Sequence, residues 1–553
     1  MFQVVIAMSG FGERFRRAGY TIPKPLIEVH GRPIIGHVVD MFPGINDIIF
    51  ICNQDHLDEP SFRMRDILTE LCPGCQIVGI PAHKLGPVHA VLKVREVINP
   101  ERPTIINYCD FTCYWDFDDF QSFVVQSDCD GAIPAYTGFH PHMLGSTNYA
   151  YVREKGGWVK DIQEKQPYTD TPMEEYASSG TYYFRTGALA LEYCQKTIDE
   201  GTTLNGEYYV SLVYKPLLQD GYWVAVYPIQ HFMQWGTPID LAEYQHWAKI
   251  FYRLLQYEGP PAMQEGALLM PMAGAGSRFR KAGYVLPKPL IPVNGKPMAV
   301  QAALDLPAAN LVFVLRQDLD RLDVIKAVML QDFPIASTVV LNELTDGQAR
   351  TCLLATDGMD PSAPLTIGAC DNGILYDHSA FEALMTNPEV DVIVWGVREH
   401  PNAARNPHMY GWIDAQDGQV KQVSVKTPLP KDTTDQQVII GAFTFKRTED
   451  FRCAAEQLIS KDAQINGEYY VDSCINEAIE LGLRCAVFTV DAYLCWGTPE
   501  ELRSYEYWQS CFHKWPGHIY QLKNDPRISA SARAELEARF APFTPMLPEP
   551  GKC

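Results

Sequence analysis

Short apolar runs alternate along the chain with segments whose apolar positions recur at helical spacing. Phe2–Met8 and Ala267–Met272 are apolar and stop at glycines, as buried parallel strands do before a phosphate loop. Ile48–Cys52 and Leu311–Leu315 repeat the strand signal, and so do Thr104–Asn107 and Leu365–Ile367. Helical patterns such as Ile34–Met41 and Val88–Val97 fall between them. The alternation predicts an α/β fold with a doubly wound, mostly parallel sheet, which places binding at the carboxyl ends of the strands.

The pattern occurs twice. Met8-Ser-Gly-Phe-Gly-Glu-Arg-Phe-Arg-Arg-Ala-Gly-Tyr-Thr-Ile-Pro-Lys-Pro-Leu26 is echoed by Met272-Ala-Gly-Ala-Gly-Ser-Arg-Phe-Arg-Lys-Ala-Gly-Tyr-Val-Leu-Pro-Lys-Pro-Leu290, an offset of 264 from Gly10 to Gly274. Cys109-Asp110 recurs as Cys370-Asp371, Asn205-Gly-Glu-Tyr-Tyr-Val210 as Asn466-Gly-Glu-Tyr-Tyr-Val471, and Trp235-Gly-Thr-Pro238 as Trp496-Gly-Thr-Pro499, each at an offset of 261. So long a period means a duplicated domain and not a solenoid. The expected organisation is a first domain over 1–255, a Gly- and Pro-containing linker over 256–266, a second domain over 267–525 and a polar, then Pro-rich tail over 526–553. This last stretch carries a short helical pattern at Ser529–Arg539 and reads as a tail or docking segment.

At 553 residues, with 46% hydrophobic and 20% charged residues, the chain can bury sizeable cores and lacks the composition of a disordered protein. The formal net charge of -21 repels polyanions, so nucleic acid is not an expected partner, and an anionic ligand needs a local cationic site or a metal ion. No long apolar run and no basic leader at Met1–Ile6 is present, so a cytoplasmic protein without membrane association is expected. Fifteen scattered Cys fit reduced, mostly buried thiols. Cys72-Pro-Gly-Cys75 is the one C-x-x-C, with no second pair at zinc spacing.

Gly10-x-Gly12, directly after a strand, allows backbone N–H groups to approach phosphate oxygens without a Cβ in the way. Arg14 adds a fork of donors and Lys24 a compact charge; Gly274, Gly276, Arg278 and Lys288 fill the same places in the second copy. Neither the dinucleotide pattern G-x-G-x-x-G nor a G-K-[ST] loop is present.

G-x-G-x-R-F followed by P-K-P-L resembles the sugar-1-phosphate nucleotidyltransferase superfamily of NDP-sugar pyrophosphorylases, in two tandem Rossmann-like domains. With N-G-E-Y-Y-V and W-G-T-P, the string looks most like the single-domain enzymes encoded with bacterial surface-polysaccharide genes. The resemblance implies in-line attack by a substrate phosphate oxygen on the α-phosphorus of an NTP, with Mg²⁺ as cofactor and pyrophosphate leaving. A phosphate is already anionic, so the chemistry needs positioning and charge neutralisation, not an activated side-chain nucleophile.

Carried over by motif, the Gly10–Arg14 loop holds the triphosphate, and Lys24 neutralises charge moving onto pyrophosphate. Asp110 and Asp371 stand where the family places a magnesium-ligating Asp, and Mg²⁺ prefers carboxylate and phosphate oxygens. Glu164-Lys165 resembles the family's E-K-P, in which Glu binds the acceptor and Lys its phosphate; the second copy offers Val425-Lys426. Glu207 and Glu468 are acceptor or metal contacts on the same footing as structural residues. Gly86 and Gly347 lead the base-recognition loops, and Pro87, without an N–H, suggests that the first copy reads its base differently. The family's second metal-binding Asp, just before the G-T, is absent, since Gln234-Trp235 and Cys495-Trp496 stand there.

The expected function is an EC 2.7.7-type transfer from an NTP to a sugar phosphate, or to a polyol- or choline-type phosphate, for polysaccharide precursors; a homo-oligomer is compatible with it. The alternatives are one catalytic plus one regulatory domain, or a nucleotide or nucleotide-sugar sensor without turnover. A glycosyltransferase would need a D-x-D, which Asp110-Phe-Thr and Asp371-Asn-Gly do not supply.

Overall fold

A computed structural model describes residues 2–260, 263, 265–430 and 436–549. Residues 261, 262 and 264 of the expected linker and 550–553 of the expected tail lie outside the described residues. The chain forms two units, one of Met1–Ala248, Ser510–Ile519 and Ala541–Cys553, the other of Lys249–Gln509 and Tyr520–Phe540.

In the first unit a ten-stranded sheet runs in the order Tyr176–Ser178, Ala150–Lys155, Trp158–Glu164, Val224–Pro228, Gly131–Tyr136, Thr181–Phe184, Thr104–Tyr108, Gln3–Met8, Ile48–Asn53, Gln76–Ile80. The last four are parallel, and Ile49, Ile51, Val5 and Ile106 from them are fully buried, so helices cover both faces. The mostly parallel sheet expected from the sequence is corrected here to a mixed one. Thr181–Phe184 runs antiparallel to both its neighbours, and Ala150–Lys155 folds back on Trp158–Glu164 at Gly156-Gly157. The strands legible in the sequence were the doubly buried parallel ones; the hairpin strands are interrupted by charged residues on their exposed face.

The second unit repeats this order in nine strands: Ser337–Leu341, Asn310–Arg316, Ala267–Pro271, Leu365–Gly368, Gln437–Phe445, Val392–Val397, Cys485–Thr489, Gln419–Val425, Gly411–Gln416. The single strand Gln437–Phe445 replaces the two short ones at Tyr176–Ser178 and Thr181–Phe184.

Several of the described residues beyond Asp525 pack within the units. Arg527 is buried in the second unit on Asp305, and helix Ala530–Phe540 buries Ala532, Leu536 and Phe540. Farther on, in the first unit, Glu549 N–H donates to Gly156 O at 2.8 Å and Trp158 Nε1 donates to Glu549 O at 2.8 Å. Among the described residues no helix is long and apolar enough to cross a membrane.

Burial pushes the imidazoles of His140 and His518, both in the first unit, down to about 4. The unfolded chain therefore binds more protons than the folded one between that value and the ordinary histidine range near 6.5. The contribution is complete above about pH 6.5 and is lost as pH falls toward 4. The first unit's melting temperature should thus drop across this window, and His140→Gln with His518→Gln should flatten the drop in a calorimetric pH series.

Candidate functional site

Strand Gln3–Met8 delivers the chain to Ser9–Gly12, and helix Glu13–Arg17 starts there. Gly12 caps that helix at φ +62°, a left-handed conformation that a side chain strains, while a Cβ on Gly10 would meet open space. Gly276 repeats the cap at φ +59°, and Gly274 repeats the open side. Gly10 is thus required by neither backbone nor packing. Arg14 and Arg278 are exposed beside the loops. In the first unit a cavity of about 590 Å³ is lined by Gly10, Gly12, Arg14, Lys24, Asp110 and Glu207, among others.

Lys24 and Asp110 are far apart in sequence and meet because Gln3–Met8 and Thr104–Tyr108 are neighbouring parallel strands. Lys24 Nζ donates to Asp110 Oδ2 at 2.7 Å. Burial, the largest single influence, would push the ammonium down, but the Asp110 carboxylate and Cys109 act against it and the net direction is up. Lys288 pairs with Asp371 in the same way, with the same net direction. Both lysines are thus held charged, which suits an anionic ligand.

A second carboxylate, that of Asp240, is close enough for its charge and that of Asp110 to act on each other. Asp240 lies in the first turn of helix Pro238–Leu254, accepts from Thr237 Oγ1 at 2.5 Å and from Gln234 Nε2 at 3.1 Å, and is pushed up by burial and by the negative Glu243 and Asp110. The glycine of Trp235-Gly-Thr permits the approach, since a Cβ on Gly236 would stand 3.1 Å from Asp110 Oδ2. In the second unit Glu501 occupies the equivalent helical turn, and a Cβ on Gly497 would stand 3.2 Å from Asp371 Oδ2 and 3.5 Å from Glu501 Oε2. An acidic residue three or four positions after the G-T in both copies was the available sequence signal. Among the described residues no three His, Cys, Asp or Glu side chains gather as a metal cage.

The residues expected on the acceptor side converge as well. Lys165 has φ 57° and Lys426 φ 59°, a sparsely populated region for a non-glycine residue, occupied by the same lysine in both units. Lys165 Nζ donates to Tyr209 OH at 2.6 Å, and Tyr209 OH donates to Glu207 Oε2 at 2.6 Å. Glu164 Oε2 accepts from Ser211 Oγ at 2.6 Å, and burial raises the carboxyl against the pull of Ser211 and Lys165. Tyr209 stands in the repeated Asn205–Val210 motif but carried no assigned role, and Ser211, at the second position of helix Val210–Gln219, was missed because a single serine in a helix carries no distinguishing pattern. In the second unit Lys426 Nζ lies 5.6 Å from the Tyr470 ring centroid and is pushed down by burial, with Arg278 acting in the same direction and Asp472 and Glu468 against it.

Gly86 and Gly347 have a packing reason. A Cβ on Gly86 would come within 2.7 Å of Tyr208 N and O, and Gly347 packs as tightly on Tyr469. These glycines let the loop hydrogen-bond to the Tyr208 and Tyr469 backbones, as in Val88 N–H to Tyr208 O at 3.2 Å and Ala349 N–H to Tyr469 O at 2.9 Å. His83 and Lys84 line the first cavity near this loop, whereas Leu344 and Thr345 hold those places in the second copy. Cys72 and Cys75 are free thiols, and burial pushes Cys75 up to about 11, away from thiolate chemistry at neutral pH.

Residues 3–230 match the family model described as nucleotidyl transferase. Over 235 residues the chain is 24% identical to the bifunctional protein GlmU of Bacillus cereus, covering 42% of this chain and 47% of that one. The corresponding protein of Bacillus anthracis matches equally, at 24% over 235 residues, 42% of this chain and 47% of that one. The chain therefore spans about half the length of the curated relatives it matches. Among solved structures it is similar to a nucleoside-diphosphate-sugar pyrophosphorylase from Vibrio cholerae RC9, at 20% identity over 43% of this chain and 98% of that one, with a TM-score of 0.35.

Proposed function

We infer, taking residues 3–230 as a nucleotidyl transferase domain, that this chain joins an NTP to a phosphorylated small molecule and releases pyrophosphate. The observation that carries the reading is the Lys24–Asp110 pair beside the open Gly10–Gly12 turn, with the same arrangement at Lys288–Asp371.

In this reading an acceptor phosphate oxygen attacks the α-phosphorus and the bond to the β,γ-diphosphate breaks. The Gly10–Gly12 amides and Arg14 hold the triphosphate, and Lys24 faces the charge that builds on the leaving pyrophosphate. Asp110, with Asp240 behind it, offers the hard oxygen donors that Mg²⁺ takes together with phosphate oxygens, and the donor set fits that ion. Magnesium, when bound, supplies further neutralisation of phosphate charge. Lys165 holds the acceptor's phosphate, and Glu164 and Glu207 accept from its hydroxyls. Arg278, Gly274, Gly276, Lys288, Asp371, Lys426 and Glu468 repeat these roles in the second unit. Sugar or polyol phosphates used in surface-polysaccharide precursors, converted by a protein of the cytoplasm, fit this set. The different walls, His83 and Lys84 against Leu344 and Thr345, favour two sites with different ligands over two equal ones.

The test is pyrophosphate release with each of the four NTPs against a panel of phosphorylated sugars, polyols and choline, with and without Mg²⁺. Metal-dependent release that needs both an NTP and a phosphorylated acceptor is the expected result. NTP binding with no release under any pairing would favour the sensor.

A further inference from the structure

The second acceptor site differs from the first at one carboxylate, Glu164 against Val425, and taken alone that difference would mark a decayed copy. Two neighbouring positions differ with it. Strand Ala150–Lys155 pairs Ala150 with Glu164, and strand Gly411–Gln416 pairs Gly411 with Val425, so the residue facing the changed position has lost its methyl. Ser211, which donates to Glu164, stands at the second position of helix Val210–Gln219; the equivalent residue of helix Val471–Glu480 is Asp472.

The three changes fit one another sterically. A methyl at 411 would collide with Asp472 Oδ1, so the glycine makes room for this carboxylate. Gly411 has no left-handed backbone conformation that would otherwise call for glycine. Valine at 425 is buried and brings no competing charge. The groups whose charges act on Lys426 are Asp472, Arg278 and Glu468. In the first unit Glu164 likewise feels Lys165 and Glu207, with Arg14 acting on the adjoining Tyr209. One carboxylate, one lysine, one further glutamate and one arginine are thus present in each site, but the carboxylate has moved from a strand to the start of a helix.

We propose that Asp472 is the acceptor-binding carboxylate of the second site, receiving hydroxyl hydrogen bonds from a hydroxyl-bearing phosphate monoester whose phosphate rests on Lys426. The assignment rests on the acceptor-site reading given above and deepens it. The carboxylate arrives from another element on a side chain one methylene shorter, so the second site accepts hydroxyls from a different direction and selects a different acceptor from the first. An acidic residue in the first turn of a helix also interacts favourably with the helix dipole. That effect accounts neither for the missing methyl at 411 nor for the loss of Glu at 425.

The experiment measures equilibrium binding, which separates it from turnover. In the full chain carrying Lys165→Ala, so that the first acceptor site is weakened, calorimetric titration compares glucose 1-phosphate, glycerol 3-phosphate and inositol 1-phosphate with ethyl phosphate, which has no hydroxyl. The expected result is that at least one hydroxyl-bearing probe binds more tightly than ethyl phosphate. Asp472→Asn should lower its affinity at least about tenfold, as loss of hydrogen bonds to a charged group does, and leave ethyl phosphate unchanged. Gly411→Ala, Val425→Glu and Asp472→Ser together, which rebuild the first site's arrangement, should restore hydroxyl-dependent binding and so exclude a folding defect in Asp472→Asn. Equal binding of all probes before mutation, or an unchanged preference in Asp472→Asn, would overturn the assignment. Absence of pyrophosphate release alongside hydroxyl-dependent binding would instead sink the transferase reading and leave Asp472 a binding residue.

Discussion

Lys24→Ala is expected to lower pyrophosphate release at the first site by about 10²–10³-fold, the scale on which loss of one preorganised charge-stabilising group is felt. Its ammonium lies 2.7 Å from Asp110 Oδ2 and is only 20% exposed, so water replaces it poorly. Two effects add in the variant. The departing diphosphate loses its cation, and Asp110 is left with an unopposed charge facing a polyanion. Lys24→Arg should recover only part of the rate, because a planar guanidinium cannot occupy the same point beside a carboxylate. Lys288→Ala, measured under identical conditions, divides the activity between the two units. The readout is the steady-state rate at saturating NTP and acceptor, with melting temperature as the control for folding. If neither variant lowers the rate tenfold, these lysines are not at the reacting phosphates.

The members of this pair were legible in the sequence, but their contact was not. Lys24 follows a glycine loop and Asp110 follows a strand, and both signals are local. Their meeting depends on which strands are neighbours, and the adjacency of Gln3–Met8 with Thr104–Tyr108 is a property of the whole sheet. The antiparallel half of the sheet escaped for a related reason. Its strands are half exposed or short, and their apolar residues alternate with charges, so they do not stand out as the buried parallel runs do. Asp240 was not legible because it stands after Gly236-Thr-Pro and not immediately ahead of it, on the helix that follows, whose first turn brings its acidic residue near Asp110. Asp472 was not legible as a counterpart of Glu164, because it stands on a different element. A carboxylate that moves between elements registers as a loss at 425 and an unrelated gain at 472, and only the space above Gly411 joins the two.

Asp305→Ala is expected to destabilise the second unit by about 3–5 kcal/mol, the cost of leaving one member of a buried ion pair without its partner. Arg527 Nη2 donates to Asp305 Oδ2 at 3.0 Å, and both side chains have no exposed area. The remaining acceptor capacity of Asp305 is filled by Tyr257 OH at 2.8 Å and by the Ile374 N–H at 3.0 Å. Arg527 is held in turn by its own N–H on Asp525 Oδ1 at 2.9 Å and by Lys296 Nζ on its carbonyl at 2.7 Å, with the guanidinium 5.7 Å from the Trp496 ring. Removing the aspartate therefore strands a guanidinium that cannot lose its proton in a site that water does not reach. For a unit of this size the melting temperature should fall by roughly 6–20 °C in calorimetry of the full chain. Asp305→Leu combined with Arg527→Met should cost less than Asp305→Ala alone, since no charge is then left buried and unpaired. A double variant as unstable as the single one would mean that the pair's hydrogen bonds to Tyr257 and Ile374, and not its charge balance, fix Tyr520–Phe540 in the second unit.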